Sequence, residues 1–200
     1  ARLEVTDITI ETQEAAEKLG RPVGRYITLT ATDSTFDMYS DSFHERAEVI
    51  AKAIGALCGR CERFLAVGLG NYALTSDAVG PLTAEKIFAT RHIKSLAKEI
   101  DTDDLGEVTV IQPGVLGNTG IESSEQVKAI AERVTPQAVI AVDALACSEL
   151  SNLGRTIQLC DTGISPGSGV ENARKELSLS TLGIKCIAIG VPTVIDLCTA

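Results

Sequence analysis

Two aspartates in this sequence stand where packing alone gives little reason for an acid. Asp77 lies in Gly68-Leu-Gly-Asn-Tyr-Ala-Leu-Thr-Ser-Asp-Ala-Val-Gly-Pro81, a glycine-rich turn that follows the apolar run Phe64–Val67. Asp143 closes a second apolar run, Ala138-Val-Ile-Ala-Val142. Burying an ionised carboxylate is costly, so each acid is expected at a strand end facing a cleft. Open α/β sheets place ligands beyond the carboxyl ends of their strands. If the two strands are neighbours, the acids converge over one edge. Close carboxylates do not readily both ionise, so one keeps a proton while the other serves as base. Such a pair can activate water and protonate a leaving amine, and it also suits a divalent metal. The plainer reading of Asp77 is a loop acid at the positive end of the next helix, worth ~0.3–1 kcal/mol.

The glycine-rich turn is a poor nucleotide cradle. The dinucleotide fingerprint needs a third glycine three residues after Gly70, where Ala73 stands. Tyr72–Asp77 separates the glycines from the next helix, which Pro81 suits at its first position. Within the turn, Asn71 and Thr75 are candidates to bond the acids or a substrate, against the plainer role of forming the turn itself.

A third acid competes. Asp161-Thr-Gly163 is the triplet of pepsin-like and retroviral aspartic proteases, but those folds are all-β and bring two triplets together. One triplet inside an α/β pattern points to a turn or a substrate edge. Asp161 and Gly163 are therefore placed with substrate binding, as is Ser168 in the loop Ser165–Gly169. Ser168 is not expected to act as a nucleophile, because neither His44 nor His92 has a reason to approach it. His92, beside Arg91, is expected near a helix end, where cations meet the dipole favourably. Thr119 and Glu122 have the spacing of a capping box.

The positioning elements are legible from the apolar pattern. Strands are expected at Leu3–Ile10, Arg25–Ala31, Phe64–Gly68, Val108–Ile111, Ala138–Val142, Thr156–Leu159 and Lys185–Ile189. Helices are expected at Thr12–Leu19, Ser42–Leu57, Pro81–Leu96 and Ile121–Val134, with weaker ones near 144–150 and 171–178. Residues 33–41 read as polar and turn-prone, and Pro192–Ala200 reads as the start of a helix. Continuous apolar strands imply burial on both faces. The expectation is one α/β domain over 1–200, with an N-terminal β-α-β segment (1–41) and a core sheet (42–200), largely parallel or mixed, flanked by helices.

Composition narrows the classes. The chain has 200 residues and a formal charge of −9, which argues against direct contact with nucleic acid. No apolar run approaches the ~20 residues of a membrane span. The six cysteines read as reduced thiols, four of them in or beside apolar runs. Cys58-Gly-Arg-Cys61 has redox spacing but precedes a strand instead of opening a helix after one. The opening Ala1-Arg2-Leu3, without an initiator Met, and the unfinished look of the last residues suggest processing or truncation.

Several blocks together carry a resemblance. "EKLGRPVGRYITLTA", "VGLGNYALTSDAVGP", "ATRHI", "QPGVLGNTGIESSE", "VIAVDALA", "IQLCDTGISPGSGVENARKELS" and "TLGIKCIAIGVPTVID" resemble the germination proteases of endospore-forming bacteria, over most of the chain. The resemblance implies an endopeptidase of atypical aspartic type that degrades small acid-soluble spore proteins early in germination. It implies Asp77 and Asp143 as the catalytic pair, no cofactor, an inactive precursor, a homotetramer and a place in the cytoplasm of the spore core. It also implies a longer protein, with a pro-segment and a further C-terminal part.

A more distant resemblance joins the same two motifs to the hydrogenase-maturation endopeptidases, where a glycine-rich turn and a strand-end aspartate bind a metal that recognises substrate. It implies a three-layer phosphorylase/hydrolase-like sheet. It also leaves a second reading: a sheet-edge module that binds a metal or peptide without turnover. Which aspartate is base and which is acid is open at this level.

Overall fold

A computed structural model describes residues 3–32, 43–96, 102, 105–165 and 176–196. Its framework is a seven-stranded mixed sheet in the order β1-β2-β6-β7-β5-β3-β4. The strands are β1 (Leu3–Ile10), β2 (Gly24–Ala31), β3 (Arg63–Gly68), β4 (Glu107–Ile111), β5 (Ala138–Cys147), β6 (Thr156–Cys160) and β7 (Lys185–Ile195). The four strands β7-β5-β3-β4 run parallel, and β6, β2 and β1 continue the sheet antiparallel. The expected mixed α/β sheet with flanking helices is what forms.

Two clusters of buried side chains, one on each face of the sheet, make three layers. On one face α2 (Phe43–Cys58) sets Ala53 and Leu57 against Ile27, Leu29, Val142 and Ile187. On the other, α6 (Ser123–Val134) sets Val127 and Ala131 against Leu65, Val67, Val139 and Ala141. Alternate residues of β3 and β5 serve opposite clusters, which is the period of two expected of a strand buried on both sides. Lys185 Nζ donates to the carbonyls of Leu57 (2.7 Å) and Cys58 (3.2 Å), satisfying the open end of α2 from the start of β7. Helix α1 (Gln13–Leu19) begins on Thr12 and ends on Gly20 at φ 63°, as its sequence predicts.

Four expectations are corrected. The long helix at Pro81–Leu96 is two: α3 (Val79–Lys86) and α4 (Arg91–Leu96). Between them Thr90 pairs with β4, its N–H donating to the Val108 carbonyl (3.0 Å) and its hydroxyl accepting the Val108 N–H (2.9 Å). Backbone bonds to a neighbouring strand replace the missing helical turn, so Arg91 and His92 open a helix instead of closing one. Second, residues 144–147 extend β5 and pair with β7, and only Leu150–Asn152 forms a short 3-10 turn.

Third, Pro192–Ile195 belongs to β7. Proline is tolerated there because β6 pairs with β7 only as far as Gly190, and the β5–β7 register shifts beside Leu145. Fourth, Thr119 does not cap α6. It ends a single turn, α5 (Leu116–Thr119), and its hydroxyl donates to the Ile121 carbonyl (2.9 Å), while Glu122 occupies the cap position of α6 without a side-chain cap bond. The predicted helix at 171–178 falls mostly outside the described residues, and 33–41 wholly so; residues 176–178 precede α7 (Leu179–Leu182).

Candidate active site

Parallel pairing makes the site. Gly68 of β3 lies opposite Val142 of β5, so the strands that lead to Asp77 and Asp143 are neighbours. Beyond Gly68 the chain turns over the sheet edge, and the Leu69 N–H donates to the Val142 carbonyl (2.8 Å). The turn then closes on Asp77. The Asn71 N–H donates to the Asp77 main-chain carbonyl (3.0 Å) and to its carboxylate Oδ2 (2.9 Å). Gly70 sits at φ 113° with the Asp77 carbonyl against its α-carbon, a conformation and a closeness that a Cβ would forbid.

Asp77 is the last residue of a 3-10 turn (Thr75–Asp77) that rests against both β5 and β7. The Thr193 hydroxyl of β7 donates to the Ser76 carbonyl and fastens the turn from the far side. Helix α3 follows at once, and Gly80 lets its first turn lie directly on the backbone of Leu69 and Val142. Turn, helix and strand edge are therefore one close-packed unit.

Asp143 lies inside β5 and not at its end, 4 % exposed and opposite Gly190 of β7. Its Oδ1 accepts the N–H of Ala144 (2.9 Å). The β3 ladder stops one residue earlier, at Val142, so Asp143 is the first residue of β5 that β3 no longer flanks. That gap explains how an acid can sit mid-strand. A buried carboxylate needs polar partners, and the turn that follows β3 packs against β5.

The remaining predicted residues divide. The Asn71 side chain makes the turn, its Oδ1 accepting the Ala73 N–H (3.0 Å), while its main chain reaches the Asp77 carboxylate. Thr75 opens the 3-10 turn and is exposed. Asp161 lies elsewhere. Register places it beyond Cys160, which is level with Ala188 and so two residues below Gly190 and Asp143, and two strands away. That is about 10 Å along the strands and about 10 Å across them. Its Oδ1 accepts the Arg25 N–H (2.8 Å), fastening β6 to β2. Gly163 stands at φ 92° with the Leu177 carbonyl packed on its α-carbon. Ser168 lies outside the described residues.

The cysteine pair is not a redox site of thioredoxin type. Cys58 ends α2, the Cys61 thiol donates to the Cys58 carbonyl (3.3 Å), and burial pushes the Cys58 thiol up to about 11. Among the described residues no group of three or more His, Cys, Asp and Glu is placed to hold a metal ion.

Two elements of the site escaped the sequence. Thr193, which braces Ser76, gives no local signal because the bond spans 117 positions. Gly190, opposite Asp143, does carry one: a glycine inside an apolar strand marks close approach.

The family model described as germination protease matches residues 1–200. The chain belongs to the germination protease family. It is 42 % identical over 200 residues to the germination protease of Clostridium perfringens, covering 98 % of this chain and 61 % of that protein. With the germination protease of Oceanobacillus iheyensis it shares 44 % identity over 196 residues, 95 % of this chain and 53 % of the relative. The chain thus spans between half and two thirds of the length of these relatives. Among solved structures it is similar to a NiFe hydrogenase maturation protease from Thermococcus kodakarensis, with a TM-score of 0.46 and 20 % identity, over 72 % of this chain and 87 % of that one.

Proposed function

We propose that this chain carries the peptidase centre of a germination endopeptidase, with Asp77 and Asp143 activating water for attack on a peptide carbonyl. The observation that supports it most is the pairing of β3 with β5, which rests the turn holding Asp77 on the strand that carries Asp143. One carboxylate takes a proton from water as the other delivers one to the departing amine; the two roles need unlike protonation at the start. The proposed substrates are small acid-soluble spore proteins, and the proposed setting is the spore core, with a precursor form and a homotetramer. Asn71 and Thr75 shape the edge beside the acids, while Asp161, Gly163 and Ser168 belong to the substrate side.

The test is cleavage of a purified small acid-soluble spore protein by wild type, Asp77→Asn and Asp143→Asn, read by mass spectrometry. Loss in both variants, with folding retained by circular dichroism, supports the pair. Undiminished cleavage by either variant removes that aspartate from the chemistry.

A further inference from the structure

On the face of the sheet that carries Asp143 lies a cavity of about 320 Å³. Its floor is set by register. Thr28, Gln158, Gly190 and Asp143 fall in one rank across β2, β6, β7 and β5, and opposed residues share a face of the sheet. Gly190 is thus one strand from Asp143, about 5 Å, and Gln158 two strands, about 10 Å. Ala188 and Gly190 form the base, Leu145 and Ile164 the apolar walls, and Gln158 offers an amide. A Cβ on Gly190 would strike the Leu145 side chain, so glycine there lets Leu145 lie across β7 as a wall of the cavity.

Among the described residues the lining holds two charged groups, Arg21 and Glu176, of opposite sign. Arg21 also lies over the Tyr26 ring, 5.5 Å from its centroid. An apolar base, an amide at one end and balanced charge suit an uncharged side chain with an apolar body.

We propose that this cavity is the pocket that receives one substrate side chain beside the scissile bond, with Ala188, Gly190 and Gln158 deciding its size and polarity. The proposal rests on the reading of Asp143 as part of the peptidase centre. A peptide crossing this face of the sheet sets its carbonyl near Asp143 and the adjoining side chain in the cavity one to two strands away. Nothing in the cavity takes part in bond making; its residues position the chain.

The experiment uses peptides spanning a cleavage point mapped in a small acid-soluble spore protein, with each flanking residue changed in turn to Ala, Leu, Phe, Glu or Lys. Wild type is compared with Ala188→Leu, which fills the base, and with Gln158→Leu, which removes the amide. The expected result is a size switch at one position. Ala188→Leu loses roughly tenfold to a hundredfold more in kcat/KM for Leu or Phe there than for Ala. A uniform loss across all five residues, or no loss, overturns the proposal.

A binding readout covers a chain that does not turn over. Cys160 lines the cavity, so peptide should slow its alkylation while Cys61, outside the lining, reacts as before. An unchanged Cys160 rate at high peptide overturns the pocket. The two ideas fail separately: activity surviving in Asp143→Asn sinks the aspartate pair, whereas the size switch and the footprint judge the cavity.

Discussion

In the parallel half of the sheet, Asp143 sits inside β5 at 4 % exposure, where the neighbouring strand has just ended. In the antiparallel half, Asp161 sits just past β6 and binds the Arg25 N–H of β2. Both acids follow apolar runs, yet their surroundings differ. Beside Asp143 the chain leaves the sheet edge and returns as a turn bearing a second carboxylate. Beside Asp161 it delivers a backbone donor, which holds the carboxylate as a fastener. What separates them is which strand lies next door, and that is a property of topology that no local triplet contains.

The comparison is most directly broken by exchanging amides for acids. Asp77→Asn and Asp143→Asn are each expected to lower kcat/KM on a spore-protein substrate by roughly 10²–10⁴, the range for acid–base groups. Asp161→Asn should lose far less, because its oxygen can still accept the Arg25 N–H. Parallel rate measurements with melting controls decide it, and an Asp161→Asn loss as large as the other two would collapse the distinction.

A smaller effect tests the frame around the pair. Gly80→Ala drives a Cβ into the backbone of Leu69 and Val142. The expected cost is about 1–3 kcal/mol, a drop in Tm of roughly 2–12 °C for a chain of this size. Scanning calorimetry measures it; an unaltered Tm would show that α3 is not locked to the sheet edge.

Protonation gives a third test. Burial pushes the Cys58 thiol up to about 11 and the Cys186 thiol up to about 12, from an ordinary 9.0. The folded chain therefore keeps protons that the unfolded chain releases above pH 9. Their stabilising contribution is complete below that value and falls as pH rises towards 11. Both thiols should resist iodoacetamide at pH 8 until urea unfolds the chain, followed site by site in mass spectra. Rapid labelling of Cys186 in the native state would contradict its burial.

The smallest effect belongs to the antiparallel edge. Arg25 grips Asp7 through Nε (3.0 Å) and Nη2 (2.6 Å), both side chains being well exposed. The Arg25 hydrogen bond holds the Asp7 carboxyl below its ordinary 3.8, so whatever the pair contributes is present above that value and fades as pH falls below it. Asp7→Asn should leave Tm at neutral pH almost unchanged, and less still in high salt. A large shift would mark this edge as more than a solvated rim.

Much of this arrangement was legible in the residues, for physical reasons that also mark the limits. Val139-Ile-Ala-Val142 and Phe64–Val67 read as strands because burial on two faces leaves no polar alternation. Asp77 and Asp143 stood out because acids are costly beside such runs. The extension of β5 was missed because Ala144-Leu-Ala-Cys147 suits a helix and is held extended by its partner β7. Pro192 misled for a related reason: it looks like a helix start, and only the end of β6 makes room for it in a strand. The break between α3 and α4 was unreadable because the bonds of Thr90 go to a strand 18 positions away. The Asp161 triplet is set apart by fold class, and the partner of its carboxylate, a main-chain N–H 136 positions earlier, has no signature in the sequence.

The bond from Thr193 to Ser76 carries a consequence in time. The turn holding Asp77 leans on β5 and β7, and its brace arrives 117 positions later. On a ribosome, where chain emerges from the N-terminus onward, the acid of the turn after β3 is made long before the strand that steadies it. A nascent chain carrying both aspartates but not yet β7 has the two carboxylates without the strand that braces the Asp77 turn. On the proposed reading of the two aspartates, their frame is complete only once synthesis has passed residue 193.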